Sequence, residues 1–318
     1  MVAGSDHFPA AIAAGLTQLG GEDIHVETNT GQVRGHYWPA PVTAGMPVVI
    51  CPGFTEFCEK YAGVAARLTA LGHDVLIIDW PGQGRSGHLG ELSLSVHIDD
   101  FEDHLCAADA LITAAGFAAR PVVFLGHSMG GHLALRLAAR HREFARGAVI
   151  LSPMIAPPVM PVWGVRLLAL AIVSAGFGRR PALGRQPTDL ADERVFHERN
   201  GLTRVRKGYE NQFVWFDDAP ELRRSGPTAG WVRAAYESCA ATTLNAAWMR
   251  HLDVQILALT AGDERIVHQP STTRMLPCLP KCQHVSFDGA RHELLFETDE
   301  VQAELWQRIE SFLANLQP

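Results

Sequence analysis

A chain of 318 residues, 47 % apolar and 19 % charged, can bury one large core and does not require two. Its net charge of −7 would repel a phosphate backbone, and no Lys/Arg-rich arm or nucleic-acid-reading motif offsets it, which excludes nucleic acid as a partner. The opening MVAGSDHFPAAIAAGLTQLGG has no basic start, and Gly15 and Gln18 interrupt its apolar stretch, so it predicts neither a secretory signal nor a membrane span; a cytoplasmic location is the default expectation.

Residues 24–38, IHVETNTGQVRGHYW, predict a hairpin turning at Asn29, Thr30 and Gly31. Short apolar runs then alternate with helical periodicities, the rhythm of a mostly parallel sheet covered on both faces. The runs are 47–51, 74–79, 121–125, 147–152, 254–260 and 283–287. Between them Phe57, Tyr61, Val64, Leu68 and Leu71 form one helical stripe, stopped by Gly72. Ile98, Phe101, Leu105, Ala108 and Ile112 form another, stopped by Gly116. A last stripe carries Val301, Leu305, Ile309, Phe312 and Leu316. The rhythm breaks between Pro153 and about Asp253, where a proline-rich entry leads into the apolar stretch Trp163 to Phe177 and then into an Arg-rich region. This predicts an N-terminal extension over 1–23, a core of 24–153 with 253–318, and an inserted helical cap over 154–252.

The run 121–125 leads directly into Gly126-His127-Ser128-Met129-Gly130 and an Ala/Leu-rich helix. Leaving a buried strand for a helix within a few residues forces a cramped turn, and small residues two before and two after the central one let it form. Ser128 is therefore the expected nucleophile. A serine hydroxyl needs a base, usually a histidine oriented by a carboxylate, and this turn implies the chain order serine, acid, histidine. His141, His197 and His251 come too early or in the insertion, His268 opens a helix and His284 lies in a strand. His292, in FDGARHELLF after the last strand, is the expected base. The acid should follow the run 254–260, where TAGDERIVH offers Asp263 and Glu264. The oxyanion donors are expected to be the amides of Met129, next to the nucleophile, and Phe54, in the loop CPGFTEF. Gly82 to Gly87 matches G-x-G-x-x-G, but Trp80-Pro81 precede it and no helical stripe opens after it, so a dinucleotide site is not expected. Six scattered cysteines, only Cys278 and Cys282 close together, fit reduced thiols rather than a metal site. No cofactor is expected.

CPGFTEFCEKY, DVLIIDWPGQGRSG, GHSMGG, YENQFVWFDDAPELRRSGPTAGWVR and GARHELLFE together resemble the α/β-hydrolase superfamily, and within it the lysophospholipase L2 and monoacylglycerol lipase group. The resemblance runs from about residue 24 to the C-terminus. It implies an α/β-hydrolase fold, a triad of Ser128, an acid at Glu264 (Asp263 the alternative) and His292, and a helical cap shaping an acyl pocket. Pro52-Gly53 stands where many of these lipases have His-Gly, a departure that the lysophospholipase L2 group shares. The implied activity is hydrolysis of a single-chain lipid ester; acyl transfer, small-ester hydrolysis, a proline-iminopeptidase-like peptidase and a receptor built on the fold are the rivals. Eight basic residues against four acidic between Arg179 and Lys207 could attract a phosphate headgroup or an anionic bilayer, and the apolar stretch 163–177 could dock peripherally at the inner membrane face.

Overall fold

The computed structural model describes residues 20–184 and 189–316. Most of the extension expected over 1–23 therefore lies outside the described residues, and the first strand already begins at Glu22. Eight strands form one sheet: β1 (Glu22–Thr28), β2 (Gly31–Trp38), β3 (Val48–Cys51), β4 (Val75–Ile78), β5 (Val122–His127), β6 (Ala145–Leu151), β7 (Gln255–Ala261) and β8 (Cys282–Phe287). Their order is β1-β2-β4-β3-β5-β6-β7-β8. β1 and β2 are an antiparallel hairpin, β2 pairs antiparallel with β4, and every later pairing is parallel. Crossover helices put a hydrophobic layer on each face, which is why the central strands read as unbroken apolar runs.

Alternation along those strands splits the core in two. Val49, Leu76 and Phe124 face one layer with Leu111 of α2 (Glu102–Ala114) and Leu133 of α3 (Met129–Arg140). Val48, Val75 and Val123 face the other, with Leu68 of α1 (Ala62–Ala70) and Leu305, Ile309 and Phe312 of α10 (Asp299–Asn315). Each such buried side chain contributes about 1.5–3 kcal/mol. Two of the periodic stripes outrun their helices: Ile98 and Phe101 are buried ahead of α2, and Phe57 ahead of a 3-10 turn at Cys58–Tyr61. The apolar period reports burial at these positions, and fails at Leu71, the last of the first stripe, which is 42 % exposed.

Between β6 and β7 the chain inserts α4 (Val162–Ile172), a π turn (Val173–Phe177) that breaks at Gly176 with φ 87°, α5 (Leu190–Glu193), α6 (Arg206–Asp218), α7 (Ala229–Ala241) and α8 (Ala246–Arg250). α9 (Gln269–Met275) follows β7. No helix among the described residues is long and apolar enough to cross a membrane.

Candidate active site

Ser128 stands between β5 and α3 with φ 54° and ψ −118°. A side-chain-bearing residue held there stores about 1–3 kcal/mol of strain, so its surroundings must over-determine it. They do so through the backbone: Ser128 N–H donates to the Leu151 carbonyl at 2.9 Å, and the Ser128 carbonyl accepts from Met154 at 2.8 Å and Gly131 at 3.0 Å. The flanking glycines are a steric necessity, since a Cβ on Gly130 would collide with the Cys51 carbonyl and one on Gly126 with the Gly130 carbonyl. The side chain is thereby presented at the end of the sheet, at the N-terminus of α3, where the helix dipole favours negative charge.

His292 lies in the loop after β8 and is 2 % exposed. Its Nδ1 is 2.9 Å and 2.8 Å from the two carboxylate oxygens of Glu264. Glu264 Oε1 also accepts the amides of Ile266 at 2.7 Å and Val267 at 3.2 Å. Burial opposes the charge of Glu264, but the His292 contact and these amides outweigh it and hold the carboxyl below the usual range. Asp263, one residue earlier, points to solvent and pairs with Arg265 at 2.6 Å. Of the two acids, Glu264 alone meets the imidazole. The Ser128 hydroxyl makes no hydrogen bond among the described residues; in unliganded sites that link often tightens only around a substrate. Three of the other histidines weighed as the base are engaged elsewhere: His141 with Asp109 at 2.6 Å, His284 with Thr260 at 2.8 Å, and His268 as the cap of α9.

Neither the Phe54 nor the Met129 amide has a partner among the described residues. The amides on either side of Phe54 are tied down. Gly53 N–H donates to Glu56 Oε2 and Thr55 N–H to Gln83 Oε1 at 2.7 Å, while Gln83 Nε2 donates to the Gly53 carbonyl at 3.3 Å. Trp80 Nε1 completes the brace by donating to the Pro52 carbonyl at 2.8 Å. The glycine-rich stretch 82–87 thus has a task the sequence did not reveal: Gly82, Gly84 and Gly87 take positive φ so that the loop can turn and lodge Gln83 against 53–55. Sequence reasoning did not single out Gln83 or Glu56, which hold residues 53–55 in place. Both sat inside quoted motifs, but nothing in the spacing says which side chain folds back.

Behind the loop lies a buried polar cluster. Glu56 Oε2 also accepts from Tyr61 at 2.6 Å, its Oε1 pairs with Lys60 Nζ at 2.8 Å, and Lys60 pairs in turn with Glu293 at 2.8 Å.

Ser128, His292 and Phe54 all line one cavity of about 820 Å³. Much of the rest of its wall comes from the insertion, with Val165, Leu168, Ala169 and Ile172 of α4 and Trp231 and Val232 of α7. α4 is apolar on its outer side as well: Trp163 is 68 %, Leu167 60 % and Leu170 45 % exposed. The Arg-rich region carries less free charge than its composition suggests, because its partners come from outside that stretch. Arg180 pairs with Glu91, Arg194 with Asp217, Arg204 with Glu297 and Arg206 with Glu210; Arg185 lies outside the described residues.

A mostly parallel sheet, a strained serine turn after a central strand and a Glu-His pair beyond the last two strands define an α/β-hydrolase. The family described as Serine aminopeptidase, S33 matches residues 44–299, and the chain belongs to that family. It is 32 % identical over 271 residues to lysophospholipase L2 of Escherichia coli (strain K12), covering 80 % of this chain and 76 % of the relative. It is 25 % identical to the probable lysophospholipase L2 of Haemophilus influenzae, covering 84 % and 83 %. Among solved structures, a soluble variant of Saccharomyces cerevisiae monoglyceride lipase shares the fold with a TM-score of 0.71 at 16 % identity, over 93 % of this chain and 96 % of that one. The chain is an ester hydrolase of the α/β-hydrolase type.

Proposed function

We propose that the protein hydrolyses the acyl ester of a single-chain lipid, a lysophospholipid or a monoacylglycerol, through an acyl-enzyme on Ser128. The observation that carries this reading is the shared cavity: Ser128 and a Glu264-oriented His292 open onto a wall of apolar side chains large enough for an acyl chain. The names of the two lysophospholipase relatives support the same substrate class. The residues at 154–252 act as the cap over that cavity, and 24–153 with 253–318 as the catalytic core.

In the reaction, His292 Nε2 takes the Ser128 proton as Oγ bonds to the ester carbonyl carbon. The oxyanion so formed accepts from the Phe54 and Met129 amides, each of which contributes about 10² to 10³ in turnover. The bond to the alcohol then breaks and His292 returns the proton to the leaving oxygen. Water repeats the sequence: it gives a proton to His292, its oxygen bonds to the acyl carbon, and the Ser128–acyl bond breaks as His292 returns the proton to Oγ, releasing the fatty acid. Glu264 keeps its charge throughout and stabilises the imidazolium of each half-reaction.

A peptidase reading has less support. Among the described residues three glutamates line the cavity, but Glu56 and Glu293 are occupied by Lys60, and Glu193 by Arg223 at 3.0 Å and Ser225 at 3.1 Å, which leaves no free carboxylate among them to receive an amino terminus.

If the apolar wall takes the acyl chain, kcat/KM on p-nitrophenyl esters should rise by up to about fourfold per methylene, the equivalent of ~0.8 kcal/mol. The same preparation is expected to cleave lysophosphatidylcholine, lysophosphatidylethanolamine or monoacylglycerol. A rate that peaks at acetate, with all three lipids left intact, refutes the lipid assignment and leaves a small-ester carboxylesterase. Transfer of the acyl group to added glycerol in preference to water would make the protein an acyltransferase.

The outer face of α4 supports peripheral membrane contact. Trp163, Leu167 and Leu170 follow one another at helical steps of four and three, with the exposed Arg166 on the same helix. The double substitution Trp163→Ser with Leu167→Ser is expected to weaken sedimentation with anionic vesicles about tenfold or more, and to slow hydrolysis of vesicle-borne lipid while sparing dissolved p-nitrophenyl esters. Equal loss on both substrates would mean that these side chains support the fold instead.

A further inference from the structure

His127, the last residue of β5, is 5 % exposed and has two hydrogen-bond acceptors for company. Its Nδ1 lies 3.1 Å from Glu56 Oε2, and its Nε2 lies 3.2 Å from the carbonyl oxygen of His292. A neutral imidazole has one N–H, so it could serve one of these oxygens and would turn a lone pair toward the other. Glu56 cannot reverse the polarity. Its Oε2 already accepts from Gly53 and Tyr61 and its Oε1 faces the Lys60 ammonium, so the carboxyl has no room for a proton of its own.

From these contacts we infer that His127 is held as an imidazolium, donating to Glu56 and to the His292 carbonyl, and is a positioning residue that ties the oxyanion loop to the backbone of the base. This rests on Ser128 and His292 acting as proposed above. The charge balance of the buried cluster agrees with the assignment. With His127 protonated, Glu56 and Glu293 are balanced by Lys60 and His127; with it neutral, the buried cluster carries an uncompensated negative charge. Burial disfavours the charged ring, but Glu56, with help from Glu293, outweighs burial and the repulsion of Lys60 and holds the His127 pKa above the usual histidine value. The Tyr61 hydroxyl is pushed well up by burial and by Glu56, so it stays a donor. The remaining neighbour is the His292 ring, with centroids 4.8 Å apart.

The pH dependence follows in sign. A raised pKa means the bridge is intact at low and neutral pH and is lost as pH rises through that pKa, when Nε2 no longer donates and the His292 carbonyl is released. The kcat profile is therefore expected to carry an alkaline limb that belongs to His127.

The test is nitrogen NMR of the imidazole-labelled protein, with His127 assigned by its disappearance in His127→Ala, set beside kcat profiles of both proteins on a p-nitrophenyl ester. Both ring nitrogens of wild-type His127 should be protonated at pH 7 and titrate with the alkaline limb. In His127→Ala, kcat should fall about 10- to 100-fold with KM within about twofold and without that limb, the scale expected when a base is displaced by a fraction of an ångström to an ångström. A neutral ring at pH 7, or a variant that retains wild-type kcat and its alkaline limb, overturns the inference. If His127→Ala does not fold, assignment through His127→Gln or by through-space contacts to His292 leaves the wild-type titration decisive. The same titration in Ser128→Ala separates the two readings: that protein loses its chemistry while its His127 should still titrate as an imidazolium.

Discussion

Ser128→Ala is expected to lower kcat by about 10⁶-fold without loss of folded protein, the scale seen when the nucleophile of a serine triad is removed. The structure explains why the two effects separate. The contacts that hold the turn, to Leu151, Met154 and Gly131, are all made by the Ser128 backbone, and alanine keeps the Cβ and with it the strained φ of 54°. Stability should therefore stay within about 0.5 kcal/mol of wild type. A fluorophosphonate probe should label the wild-type chain at Ser128 and leave the alanine variant untouched. Thermal melts with matched midpoints would show that the loss is chemical. Strong labelling of Ser128→Ala, or turnover above about a hundredth of wild type, would place the nucleophile elsewhere.

Glu264→Gln is the second large effect, a fall in kcat of about 10⁴-fold, as for the acid-to-amide change in comparable triads. The hydrogen bonds around the side chain dictate the mechanism. The Ile266 and Val267 amides are donors that must meet an acceptor, so the single oxygen of glutamine turns to them. Its NH₂ then faces His292 Nδ1. That forces Nδ1 to accept and moves the ring proton to Nε2, the atom that must be free to take the serine proton. Asp263→Asn, by contrast, removes a partner from the solvent-facing Arg265 and should change kcat by no more than a few-fold. Steady-state kinetics of the two variants side by side are decisive. Collapse in Asp263→Asn with activity kept in Glu264→Gln would reverse the assignment.

The contrast between these neighbouring acids shows how far a sequence can be read. Adjacent residues in a loop point different ways, and which of them meets His292 depends on how the loop after β7 approaches the loop after β8, more than twenty residues on. The same holds for the Arg-rich region, whose carboxylate partners Glu91, Asp217, Glu210 and Glu297 lie outside the stretch whose charge was counted. Gln83 and His127 were legible as members of motifs and illegible as a brace and a bridge, because their partners arrive from other segments.

What sequence alone determined is what local sterics and periodicity encode. The cramped turn at Ser128 requires small residues two before and two after it, an unbroken apolar run suits a strand covered on both faces, and a stripe at three- and four-residue steps buries one side of a helix. These requirements act over a few residues and leave their mark in order along the chain. The tertiary structure decided which of the two neighbouring acids meets His292, the tethering of residues 53–55, the compensation of the arginines and the apolar outer face left on α4. Each is a matter of a few ångströms between segments far apart in the chain, and such distances are set by packing, which no short stretch of sequence contains.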